Sequence, residues 1–150
     1  MATINGSHGS DKITGTSNDD VLKGNAGNDV IKGGKGNDNI DGWTGDDKIY
    51  GGAGDDIIDG NIGIDELYGE DGNDVLFFSG QISDFLDYAH GGSGNDTFTY
   101  LFNNWGGASI YDYEDYENFY DEYGEIINAN GLNHYGGPGD DTFLALGGEN

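Results

Sequence analysis

Residues 6 to 77 are one nine-residue unit written eight times without a gap, starting at Gly6, Gly15, Gly24, Gly33, Gly42, Gly51, Gly60 and Gly69. The sixth position is always Asp: Asp11, Asp20, Asp29, Asp38, Asp47, Asp56, Asp65 and Asp74. The eighth is always a branched aliphatic: Ile13, Leu22, Ile31, Ile40, Ile49, Ile58, Leu67 and Leu76. The fourth is Gly9, Gly27, Gly36, Gly45, Gly54, Gly63 or Gly72, with Asn18 the one exception. A unit this short cannot bury a core by itself, so it must stack on its neighbours.

Each unit divides in two. Its glycines open backbone conformations with φ > 0, which other residues reach only with strain, and so predict a tight turn. The three residues that follow, as in Val21-Leu22-Lys23, put one apolar side chain between two polar or amphipathic ones. They predict a very short strand whose middle residue points inward. Turn, strand, turn, strand closes one coil in two units, and successive coils stack as parallel strands about 4.8 Å apart.

That stacking sorts the aspartates into two columns. Asp11, Asp29, Asp47 and Asp65 fall on one edge, and Asp20, Asp38, Asp56 and Asp74 on the other. Carboxylates roughly 5 Å apart repel by about 3 kcal/mol at an effective dielectric near 20. A cation between successive turns cancels this repulsion and satisfies turn carbonyls as well. Carboxylate and carbonyl oxygens suit Ca²⁺, which accepts six to eight oxygens in flexible geometry, better than Mg²⁺, which demands a tighter octahedron.

Gly33-Gly34-Lys35-Gly36-Asn37-Asp38-Asn39-Ile40-Asp41 and Gly51-Gly52-Ala53-Gly54-Asp55-Asp56-Ile57-Ile58-Asp59 resemble the G-G-x-G-x-D-x-U-x repeat of RTX (repeats-in-toxin) proteins. The resemblance implies an all-β, right-handed parallel β-roll with Ca²⁺ between turns, each ion shared by two repeats of one column. It further implies that position-six carboxylates and backbone carbonyls of positions one to four are the ligands. Those carbonyls belong to Gly6, Gly15, Gly24, Gly33, Gly42, Gly51 and Gly60 and to Gly27, Gly36, Gly45, Gly54, Gly63 and Gly72. Three shared gaps per edge make about six ions, before the later repeats are counted. Asp and Gly are also what ordinary turns prefer, and an acidic, glycine-rich chain tends to disorder. Eight units in phase favour the cation, and the same composition predicts that the metal-free chain is disordered.

The formal net charge of −24 argues against nucleic acid and anionic membranes as partners. All five basic residues, Lys12, Lys23, Lys32, Lys35 and Lys48, precede residue 49. There is no Cys, so metal would take the stapling role of disulfides. No stretch approaches the ~18 apolar residues of a membrane span, and a monomer is expected. The start, Met1 to Gly6, lacks a charged-then-apolar leader. The RTX resemblance implies instead export from a Gram-negative cell by type I machinery, with folding outside.

Ala2 to Asn5 reads as a half-unit strand with Ile4 inward. His8 reads as an exposed turn residue, and Trp43 as packing along its turn column. After Phe77 the phase breaks. Ser79 to Asp87 reads as a degenerate unit with Asp84 and Leu86 in the key positions, and Tyr88-Ala89-His90 as an insertion. Gly91 to Thr99 is a strict repeat with Asp96 and an inward Phe98. Residues 100–135, where Tyr100, Phe102, Trp105 and many tyrosines alternate with acids, read as a cap for the exposed roll end. Gly136 to Leu144 is a last strict repeat, expected to dock beside Gly91–Thr99 and to share an ion through Asp96 and Asp141. The division is thus a roll over 1–99 and a capping segment over 100–150.

No H-E-x-x-H motif, phosphate loop or paired nucleophile and base is present, and His8, His90 and His134 lack ligand spacing. An enzyme is not expected. The rivals to a calcium-folded structural module are a carbohydrate- or surface-binding module using Trp43, Trp105 and the tyrosines, and a non-catalytic part of a larger secreted enzyme.

Overall fold

The computed structural model describes residues 1–79, 87–102, 118–120, 126–128, 133–135, 137–140 and 142–147. Alternate units feed alternate sheets, because each turn reverses the chain and the next strand starts on the opposite side. One sheet runs β1 (Thr3–Asn5), β3 (Val21–Ala26), β5 (Asn39–Thr44), β7 (Ile57–Asp59), β9 (Val75–Ser79), β11 (Thr97–Phe102) and β15 (Thr142–Gly147). The other runs β2 (Lys12–Thr14), β4 (Val30–Lys35), β6 (Lys48–Ala53), β8 (Glu66–Asp71), β10 (Tyr88–Ser93) and β14 (Asn133–Tyr135). All neighbours in both sheets are parallel. The molecule is an all-β parallel solenoid.

The core is the two inward ladders. Ile4, Leu22, Ile40, Ile58, Leu76 and Phe98 are in register in one sheet. Ile13, Ile31, Ile49, Leu67 and Ala89 are in register in the other. From Leu22 to Leu76 the eighth-position side chains are wholly buried, a period-two burial that sets the register of every rung.

Most strands are longer than the three-residue segments the repeat suggests. They continue through positions one to three of the next unit, as Val30–Lys35 does, and pair there through Gly34↔Gly52 and Lys35↔Ala53. From Asn25 onward position two bends the chain with φ between +65° and +118°, and because these successive rungs bend alike, pairing survives the bend.

Two departures from the period carry information. β8 to β10 and β9 to β11 step by 22 residues, as in Leu67↔Ala89 and Leu76↔Phe98, so four extra residues are accommodated between Phe77 and Asp87. Asp87 and Ala89 therefore fill the sixth and eighth positions, and Tyr88-Ala89-His90 is a strand rather than an insertion; Asp84 and Leu86 lie outside the described residues. The register is unforgiving because a slip of one would turn Ala89 outward. The next step is 45 residues: Ala89↔His134 and Phe98↔Phe143. The strand of the last repeat, Thr142–Gly147, docks beside Thr97–Phe102, as the spacing suggests. Along the chain, the acidic aromatic segment is thus flanked by roll strands on both sides. Within it β12 (Asn118–Tyr120) and β13 (Ile126–Asn128) form an antiparallel pair. Trp105 and the run Ile110–Tyr113 lie outside the described residues.

Candidate metal centre

The position-six aspartates stand in two columns, one along each edge of the roll. In each column the Oδ1 of one Asp accepts the backbone N–H of the Asp one coil earlier. On one edge Asp29, Asp47, Asp65 and Asp87 bond the N–H of Asp11, Asp29, Asp47 and Asp65, each at 2.8 Å. On the other, Asp38, Asp56, Asp74 and Asp96 bond the N–H of Asp20, Asp38, Asp56 and Asp74 at 2.7–2.9 Å, and Asp20 bonds the Ala2 N–H at 2.6 Å. Half of each carboxylate is thereby used by the fold itself, which positions the other half.

That other half is where the fold is incomplete. The Oδ2 atoms of Asp29, Asp38, Asp47, Asp56, Asp65, Asp74 and Asp96 are buried without a hydrogen-bond partner, while these residues expose at most 2% of their surface. A buried polar oxygen without a partner is strongly unfavourable, and a charged one more so. Metal-free, the fold answers by holding protons. Burial, the largest influence, pushes Asp47 and Asp74 up to about 7 and Asp56 up to about 6. It also raises Asp29 and Asp38 above the ordinary carboxylate value.

The first-position glycines form the opposite wall. A Cβ added to Gly33 would collide with both Asp38 Oδ2 and the carbonyl oxygen of Gly51. Gly24 sits in the same way between Asp29 Oδ2 and Gly42 O, Gly42 by Asp47 and Gly60, Gly51 by Asp56 and Gly69, and Gly69 by Asp74 and Gly91. In each cradle a carboxylate oxygen and a peptide oxygen of the next coil approach one point with only the missing side chain between them. Two acceptors turned on one spot, without a donor, fit a hard cation. Position four forms a stacked column of its own: Gly27, Gly36, Gly45, Gly54, Gly63 and Gly72 all have φ above +100°. The carbonyls of Gly27, Gly36, Gly45 and Gly54 face the backbone of Gly45, Gly54, Gly63 and Gly72.

No three His, Cys, Asp or Glu side chains converge among the described residues. Any cation held here must therefore take most of its oxygens from the backbone, the chemistry of Ca²⁺ and not of a transition metal.

Sequence candidates and structure meet unevenly. The eight repeat aspartates and Asp96 lie in the columns; Asp141 lies outside the described residues. Asp11 and Asp20 differ from the rest, because their Oδ2 atoms are hydrogen-bonded to Ser7 and Thr16. Asp87, 2% exposed, is the column member that forward counting misses. Counting back nine from Asp96 and Phe98 finds Asp87 and Ala89; the small Ala89 hides the signal. Trp43 is half exposed at φ +78°, so it does not pack away along its column as expected.

The RTX calcium-binding nonapeptide repeat (four copies) matches the chain at residues 3–22, 14–49, 39–67, 50–82, 83–100 and 135–150. The gap, 101–134, coincides with the acidic aromatic segment. No curated protein and no solved structure matches the chain. A repeat family covering well over half of the residues, a parallel solenoid and two columns of oxygen cradles lead to one assignment: the chain belongs to the RTX calcium-binding nonapeptide repeat family, as a calcium-binding structural module.

Proposed function

We propose that this β-roll is a folding switch within an exported protein: extended where free calcium is scarce, and folded once Ca²⁺ fills the gaps between coils. The observation that carries this reading is the set of seven buried, partnerless Oδ2 atoms. Deprotonated and without a cation they oppose the fold; with a cation they bind it together, so binding energy becomes folding energy. In this reading Asp29, Asp38, Asp47, Asp56, Asp65, Asp74 and Asp96 hold the ions with the glycine carbonyls opposite them, and the module carries no reaction of its own. Secretion through type I machinery suits a chain that remains unfolded until it meets external calcium.

Far-UV circular dichroism of metal-stripped protein titrated with CaCl₂, then with MgCl₂, tests the switch. A cooperative coil-to-β transition at ~0.1–1 mM calcium, absent with magnesium, is expected. A chain already folded in chelator would overturn it.

A second reading, a glycan-binding surface, is favoured by Trp43. Its indole lies against Asp41, whose carboxylate burial pushes up and the indole partly restores; Asn61 Nδ2 donates to the same carboxylate at 2.7 Å. The ring is thus held in place and half exposed, as stacking on a sugar requires. The tyrosines suit that role less well. Tyr50 and Tyr68 stack on each other at 5.0 Å, with Lys48 over both rings, so their faces are already covered. Loss of polysaccharide retention in Trp43→Ala, with calcium folding intact, would favour the surface reading.

A further inference from the structure

We propose that the first turn of each column is a calcium-free cap, in which Ser7 and Thr16 occupy the role that a cation has in every later turn. This rests on the calcium reading above and deepens it, by assigning where ion binding begins.

The two kinds of turn differ at one peptide. In the later turns position two has positive φ: Asn25, Gly34, Trp43, Gly52, Asn61, Glu70, Gly92 and Gly137. Ser7 and Thr16, at the same position, are not among the positive-φ residues. Their amides therefore face the aspartate. Ser7 N–H donates to Asp11 Oδ2 at 2.6 Å and its hydroxyl to the same atom at 2.8 Å. Thr16 N–H and Oγ1 both donate to Asp20 Oδ2 at 2.7 Å. The carbonyl has turned with the peptide. Gly6 O accepts from Asn25 Nδ2 of the coil above at 2.8 Å, whereas the Gly24 carbonyl points back toward Gly6. A carboxylate oxygen with two donors is satisfied without metal, and a cation there would meet N–H and O–H dipoles by their positive ends.

Gly6 and Gly15 stand at the same convergence, with Gly24 O and Asp11 Oδ2 or Gly33 O and Asp20 Oδ2 around the missing side chain, but there the carboxylate oxygen already holds two donors. A Ser or Thr at position two satisfies that oxygen with groups of the chain itself. Ion binding then starts with the cradles of Asp29 on one edge and Asp38 on the other.

Native mass spectrometry of the full chain in calcium counts the ions. Asp11→Asn with Asp20→Asn keeps an acceptor for Ser7 and Thr16, and should leave the count and the folding midpoint in calcium unchanged. Asp29→Asn with Asp38→Asn should lose two ions. Ser7→Gly converts the first turn to Gly-Gly-His-Gly-Ser-Asp, the full repeat, and should gain one. Ion loss in the Asp11/Asp20 pair equal to that of Asp29/Asp38, or an unchanged count in Ser7→Gly, would overturn the cap and leave the calcium reading standing. A wild-type chain that binds no ion at all would overturn the calcium reading itself.

Discussion

A single methyl group tests the cradle. Gly33→Ala places Cβ against Asp38 Oδ2, Gly51 O and Ile40 Cδ1, in the space where the two oxygens converge. It should remove one ion and destabilise the calcium-loaded fold by about 1–3 kcal/mol, the usual range for overpacking, read from ion count and thermal melting. Protons are the second probe. In the metal-free fold Asp47 and Asp74 reach about 7 and Asp56 about 6 against an ordinary 3.8. A folded state that holds its protons more tightly than the unfolded chain gains stability as pH falls. That contribution is full below about 3.8 and lost as pH rises through 6 to 7. In chelator, therefore, β-structure should increase on acidification from about pH 8 to pH 4. In calcium the order reverses, since protons compete for the same oxygens, and the folding midpoint should move to higher calcium. Circular dichroism across that range, with and without metal, checks both signs. The column aspartates were legible because Asp recurs every nine residues. Whether each Oδ2 meets a donor was not, because that depends on the φ of position two, where Ser7 and Thr16 look like any small turn residue.

A strand of this roll is held chiefly by one side chain. Ile49 is wholly buried between Ile31 and Leu67, so Ile49→Ala should cost about 2–5 kcal/mol. It should raise the calcium concentration at half-folding while leaving the number of ions at saturation unchanged, which separates packing from ligation. The outer face of the same sheet contributes less: the Tyr50–Tyr68 stack and the exposed Lys48–Glu66 pair belong to a class worth at most about 1 kcal/mol each. Sheet, handover between sheets and inward residues are all legible from a period of nine with one aliphatic. Strand length was not, because glycine advertises a turn, and only the repetition of one bend in successive rungs allows Gly34 to pair with Gly52. The phase of β10 was hidden for a related reason: Ala89 is too small to look like core until it is placed in line with Leu67.

At the scale of the molecule, charge sets the terms. A chain with net charge −24 repels itself when extended, and each divalent ion removes two units of that charge as it joins neighbouring coils. Hydrodynamic radius should therefore fall sharply on calcium addition, and monovalent salt should reproduce only the part due to screening; size-exclusion chromatography in chelator, salt and calcium distinguishes the two. A second large-scale feature, the interruption between β11 and β14, has no repeat of its own in residues 100–135; the strict repeat at Gly136 signals that the roll resumes, and the 45-residue step in both sheets gives the register at which it does. The ladders themselves have a mechanical consequence. Each rung is bonded only to the rung before and the rung after, and β1 and β15 lie at opposite ends of one sheet. Tension applied between the termini must peel coils from the ends in turn, and every 18-residue coil released lengthens the chain by roughly 60 Å. With calcium joining the coils as proposed above, the force needed for each step would follow the calcium around the molecule, and the roll would act as a tether whose stiffness is written in the concentration of an ion.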